Sequence, residues 1–117
     1  MAYDEELAAR TRDLLEGEPG ITERKMFGGL AFLVDGHMSV AAGGKGGLMA
    51  RPGPAAEDGW LDRDGIGPMV MRGRPMAGWL VADSDAVADD DLLGDLVRDA
   101  VAHSRTLPPK SSPATGV

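Results

Sequence analysis

The chain has no cysteine, which excludes a disulfide, a thiolate metal site and a thiol nucleophile, and suits a reducing compartment. Aromatic residues are scarce, two Trp, two Phe and one Tyr, so leucine, valine, alanine and seven methionines must supply the core. Methionine fills irregular gaps, and a core role is preferred for it here over a binding surface. No apolar run approaches the roughly 20 residues that a membrane helix needs. The acidic start Met1-Ala2-Tyr3-Asp4-Glu5-Glu6 lacks the basic segment and apolar block of a secretory signal, so the expected location is cytoplasmic with no membrane contact. Cations are also short. Twelve Lys and Arg stand against 19 Asp and Glu, a net charge of −7, and direct nucleic-acid binding is disfavoured because phosphate contacts draw on lysine and arginine.

At 117 residues the chain is the size of a single domain. Its most informative stretch is Arg24 to Val40. Apolar residues from Leu30 to Val34 and alternating ones from Met38 onward flank Asp35-Gly36, a pair suited to the positive backbone angles of a type I′ hairpin. Consecutive apolar positions in Leu30–Val34 predict a strand covered on both faces. Ahead of it, Asp4-Glu5-Glu6 opens a helix with Leu7, Ala8, Thr11, Leu14 and Leu15 on one face, ended by Gly17 to Gly20. A strand from Ile21 to about Phe27 follows, then a turn or bulge at Gly28-Gly29.

Beyond the hairpin, Gly43 to Gly47 marks a turn and Leu48–Arg51 a short strand, broken by Pro52-Gly53-Pro54. A helix is expected over Ala55–Asp64, with Trp60 and Leu61 as its apolar content, and strands over Pro68–Arg72 and Ala77–Ala82, joined through Gly73-Arg74-Pro75. Asp89-Asp90-Asp91 caps a final helix with the stripe Leu92, Leu93, Leu96, Val97, Ala100 and Val101, stopped by Pro108-Pro109. The predicted fold is α+β: an antiparallel sheet of about five strands with helices on one face. Residues 1–110 form the domain, and the polar tail 111–117 is expected to be disordered.

Four motifs in order, Lys25-Met26-Phe27-Gly28-Gly29, Asp35-Gly36, Gly73-Arg74-Pro75-Met76 with Gly78-Trp79, and Leu107-Pro108-Pro109-Lys110, resemble the N-terminal domain of the TfoX/Sxy family, bacterial regulators of natural competence. The resemblance covers about Ala2 to Lys110. It implies the α+β architecture above, similar to that of type III secretion chaperones, and a noncatalytic protein-interaction module with a role in transcriptional regulation. Two-domain relatives carry a helical domain after this one, and the chain is expected to stand without it, so the competence role is not carried over.

Weighed one by one, the candidate chemical groups favour structural roles. His37 after the turn glycine reads as an exposed hairpin residue, and His103 lies far from it in the last helix, so no His-Cys zinc cluster is expected. Asp89-Asp90-Asp91 lacks the spacing of a calcium loop. Gly43-Gly44-Lys45-Gly46-Gly47 lacks the following helix with Ser or Thr that a phosphate loop requires. Ser39 has no partnered base and no Gly-x-Ser-x-Gly elbow. No catalytic residue, metal or cofactor is therefore expected. The acids concentrate in Asp4–Glu18 and Asp83–Asp99, leaving the sheet region less acidic. The candidate interaction surface is Arg24, Lys25, Phe27, Arg72, Arg74, Met76 and Trp79, whose guanidinium forks beside aromatic rings suit a protein partner such as a transcription factor. A small-molecule or anion pocket lined by Arg72, Arg74 and Trp79 is the rival reading. An unpaired sheet edge leaves monomer and homodimer both open.

Overall fold

The computed structural model describes residues 5–26, 29–43, 47–71 and 73–108. Phe27, Gly28, Lys45, Arg72 and the expected tail lie outside them. Helix α1 spans Glu5–Leu15, followed by strands β1 (Ile21–Met26), β2 (Gly29–Val34), β3 (His37–Ala42) and β4 (Leu48–Ala50), then helix α2 (Pro54–Leu61), strands β5 (Ile66–Met71) and β6 (Arg74–Ala82), and helices α3 (Ser84–Val87) and α4 (Asp90–Thr106). The strands form one antiparallel sheet in the order β1-β2-β3-β4-β6-β5. Among the described residues six strands stand where about five were expected, and α3 is an addition that no apolar period announced. Its start is fixed instead by Asp83, whose carboxylate accepts from the Ala86 amide at 2.8 Å.

Alternation along the strands divides the sheet into two faces. Leu30, Phe32 and Val34 of β2, Val40 and Ala42 of β3, Leu48 and Ala50 of β4, and Leu80 and Ala82 of β6 belong to one core. The same core takes in Leu7, Ala8 and Leu15 of α1, Trp60 of α2, Val87 of α3 and the α4 stripe of Leu93, Leu96, Val97, Ala100 and Val101. All four helices thus cover one face, as expected. Ala31, Leu33 and Ala41 point to the other face and are buried there with Met38 and Met49 packed against them. Every residue of β2 is consequently buried, in agreement with its unbroken apolar run.

Local chemistry accounts for the boundaries. Asp35 and Gly36 both have positive φ, 50° and 88°, the signature of the type I′ hairpin. The Asp89 carboxylate accepts from the Asp91 and Leu92 amides at 2.9 and 3.3 Å, capping α4 as its sequence predicts. Pro54 opens α2, where a missing amide proton costs nothing. That helix ends at Leu61, sooner than expected, because the Asp62 and Arg63 amides bond back to Asp58 and Trp60 and Gly65, with φ 81°, turns the chain into β5 at Ile66. Leu14 departs from its predicted place. Its side chain is 44% exposed, since the facing α4 residue is Gly94, whose position offers no side chain to close over it.

Ion pairs tie the layers at their rims. Arg12 of α1 grips Glu23 of β1 through two bonds of 2.6 and 3.0 Å, and this guanidinium holds the Glu23 carboxyl below its usual pKa. Arg10 meets Asp90 at the start of α4 at 2.6 Å. The Trp60 indole donates to Asp99 at 2.8 Å, joining α2 to α4, with Arg63 stacked 4.3 Å from the ring centroid.

Two glycines test this packing in opposite directions. A Cβ on Gly29 would collide with the Ala42 carbonyl oxygen across the β2–β3 ladder, so Gly29→Ala should cost roughly 1–3 kcal/mol, as overpacking does. Gly59 lies inside α2 with nothing near its missing Cβ, and Gly59→Ala should stabilise by about 0.5–1 kcal/mol. Urea unfolding of the two variants beside the parent chain measures both signs.

Candidate functional site

The motif Gly73 to Trp79 builds a projecting ribbon. Met71 pairs with Arg74 across a two-residue connection whose second residue, Gly73, has φ 76°. Val70 then pairs with Pro75, but the next matched pair is Pro68 with Leu80. More residues are therefore fitted into β6 than into β5, and the excess forms a bulge over Met76 to Trp79. Gly78, at φ 84°, makes the bend that a side chain would strain. Its amide leaves the ladder and donates to the Glu57 carboxylate of α2 at 3.2 Å, which anchors the bulge to the helix.

This ribbon outruns its neighbour. β4 pairs only with Leu80, Val81 and Ala82, so among the described residues the outer edge of β6 from Arg74 to Trp79 faces no strand. Val70 and Met76 are exposed there at 56% and 38%, Arg74 is exposed and Trp79 half-buried. Three cavities of about 360 to 430 Å³ lie elsewhere, lined by helix residues and the loops beside them, and neither Arg74 nor Trp79 lines any of them.

The five candidate surface residues that are described do not come together as one patch. Arg24 and Lys25 are exposed on β1, the strand at one edge, with β2, β3 and β4 between them and β6. They also point to opposite faces, Arg24 standing across from Ala31 and Lys25 from Leu30. Arg74, Met76 and Trp79 share the ribbon, while Phe27 and Arg72 lie outside the described residues.

A second cluster escaped the sequence reading. Between Phe32–Val40 and Leu33–Met38 the β2–β3 register slips by one residue, leaving Ser39 as the extra position. A one-residue slip exchanges the two faces, and His37, paired with Val34, comes to the helix-bearing side. There its Nε2 donates to the Pro108 carbonyl beyond α4. His37 is half-buried, which corrects its reading as an exposed hairpin residue, and the two histidines are neighbours in space. Burial holds His103 below its usual pKa, reinforced by the charges of Arg51 and His37. Gly53, with φ 96°, lies so close that its missing Cβ would sit 2.6 Å from His103 Nδ1.

With His103 depressed in the folded chain, the unfolded chain takes the proton first, so the contribution is complete above the ordinary value of 6.5 and is lost as pH falls below it. Glu23 acts in the same direction but only below its ordinary 4.5. Urea unfolding should therefore give a lower midpoint at about pH 5.5 than at about pH 7.5, and His103→Gln should flatten that difference.

Among the described residues, no three of His, Asp and Glu converge as a metal site would require, and no helix is long and apolar enough to cross a membrane. No curated protein and no solved structure matches the chain. The family model for the TfoX N-terminal domain matches residues 13–104, a span that runs from the last turns of α1 to the end of α4 and includes both the hairpin and the bulged ribbon, and the chain belongs to that family.

Proposed function

We propose that the chain is a noncatalytic protein-interaction module that acts in transcriptional regulation through a protein partner. The observation that carries this reading is the outer edge of β6 from Arg74 to Trp79, which no strand among the described residues pairs and beside which β4 has already ended. Pro75 has no amide donor and the Gly78 amide is held by Glu57, but the remaining backbone groups of such an edge accept an extended segment as a short added strand. Exposed Val70 and Met76 supply apolar contact on the ribbon, and Arg74, for which no carboxylate partner is recorded among the described residues, supplies a guanidinium fork. The preferred partner segment is thus extended and apolar, with an acidic residue placed to meet Arg74.

Role in regulation rests on the family and on charge. A net charge of −7 makes contact with a DNA-binding protein a better route to transcription than contact with DNA. Such an edge also accommodates a second copy of the chain, so monomer and homodimer are both compatible with this module.

Affinity capture with the tagged chain, compared with Arg74→Glu and Val70→Asp, tests the proposal. A transcription factor or polymerase component should be retained by the parent chain and reduced about tenfold or more by either change, the effect of losing roughly 1.4 kcal/mol of binding. Amide exchange in the recovered complex should slow within Arg74–Trp79. Retention unchanged in both variants, or protection confined to another strand, would exclude the ribbon as the interface.

A further inference from the structure

Three residues with nitrogen-bearing side chains, His103, His37 and Arg51, are held near one another at the last turns of α4. His103 is on that helix, His37 is brought to the same face by the Ser39 bulge, and Arg51 leaves β4 with its amide bonded to the Ser39 carbonyl at 3.0 Å. The loop that follows, Pro52-Gly53, is buried and packs on the His103 ring. Two separate backbone ties therefore hold Arg51 near the histidines: its own bond to the bulge, and Gly53 two residues later.

Charge balance distinguishes this cluster from the other arginines. Arg10, Arg51 and Arg105 are the half-buried arginines among the described residues. Arg10 holds Asp90, and Arg105 holds Glu18 and Asp35, whereas no carboxylate is recorded on Arg51, His37 or His103 among those residues. Asp35, the nearest acid on the hairpin, already accepts from Arg105 at 3.2 Å. In a chain with a net charge of −7, a half-buried guanidinium beside two imidazoles and without a counter-charge is an incomplete ion pair. Buried or half-buried charge is normally matched. Ser39 and Ser104, both buried and on the two elements that frame the cluster, also have hydroxyls without a hydrogen-bond partner.

We propose that Arg51, His103 and His37 form a binding site for a tetrahedral oxyanion, inorganic phosphate or the phosphate of a small monoester. The guanidinium offers a planar two-donor fork to two oxygens, and a protonated imidazole donates to a third. Binding takes up a proton at His103, because the anion offsets the like charge of Arg51 that disfavours a protonated imidazole beside it. His37 borders the site, its Nε2 remaining on Pro108. Chloride is a weak substitute, since it has neither the second charge nor the geometry to use the fork.

With two histidines in the chain, their imidazole proton resonances are assigned by a single His37→Gln variant and followed from about pH 8 to about pH 5, the range in which imidazole titrates. The titration is run in sodium chloride and in sodium phosphate at matched ionic strength. Phosphate should raise the His103 midpoint by about one unit, the effect of an opposite charge a few ångströms away, and Arg51→Gln should remove most of the rise. Glycerol 3-phosphate should reproduce it if the site accepts a monoester; a response to inorganic phosphate alone restricts the site to the free anion. An identical midpoint in both salts overturns the proposal, as does a rise that survives in a folded Arg51→Gln. If that variant fails to fold, sulfate added to the wild-type chain decides: it should reproduce the rise at a built oxyanion site, and a chloride-like response to sulfate overturns it.

Discussion

The apolar stripe of α4, laid across β2, β3 and β4, is the contact on which the rest of the arrangement depends. Leu93, Leu96, Val97, Ala100 and Val101 follow one another at three- and four-residue spacing and are all buried, so the helix has one rotational setting in which its face is covered. That setting fixes what its flanks present. Asp99 reaches Trp60 of α2, His103 meets the loop after β4, and Arg105 gathers Glu18, Pro19 and Asp35. Single surface ion pairs contribute little, but Arg105 closes three segments with one fork at the helix end, where a cation also suits the dipole. Its pKa is raised by these partners, foremost by the bond to Glu18.

Features governed by short-range chemistry were legible in the sequence. Asp35-Gly36 specifies its own backbone angles, Asp89 its own cap, and the run from Leu30 to Val34 its double coverage. Most of α4 was readable because burial of one helical face imposes a period. Features governed by register were not. Nothing in His37-Met38-Ser39 announces that Ser39 is the surplus residue, yet that insertion decides which face His37 occupies and hence whether the two histidines meet. Leu14 fails for a related reason: its helical position is apolar in pattern, but its exposure depends on Gly94 of a helix far away in sequence. The candidate surface residues were named from motifs along the chain, and strand order separates β1 from β6.

Glycine-rich motifs in this domain have a geometric reading that precedes any functional one. Gly29 admits the Ala42 carbonyl, and Gly78 turns the bulge whose amide Glu57 receives. Removing side chains at these points also removes the means of covering the ribbon. The bulge prevents β6 from continuing in register beside β5, and β4 ends before Arg74 is reached, so the same distortion that uses the motif leaves a backbone edge open. A strand edge is normally protected by charge, proline or brevity. Here Pro68 lies on the edge strand β5 and Arg24 and Lys25 guard β1, while the segment Arg74–Trp79 carries one cation, Pro75 and exposed Met76.

The distribution of charge adds a direction to that opening. Asp90 and Asp95 of α4 are matched by Arg10 and Arg98, while Arg12 and Arg105, also on the helices, hold Glu23, Glu18 and Asp35. Arg24, Lys25 and Arg74, by contrast, are exposed on the sheet. Exposed charges act over roughly the screening length of 8–10 Å in physiological salt, short compared with the 44 Å long axis of the molecule. The acidic partner segment proposed above would therefore be repelled by the helical layer and attracted at the strand rims, its orientation set before any apolar contact forms.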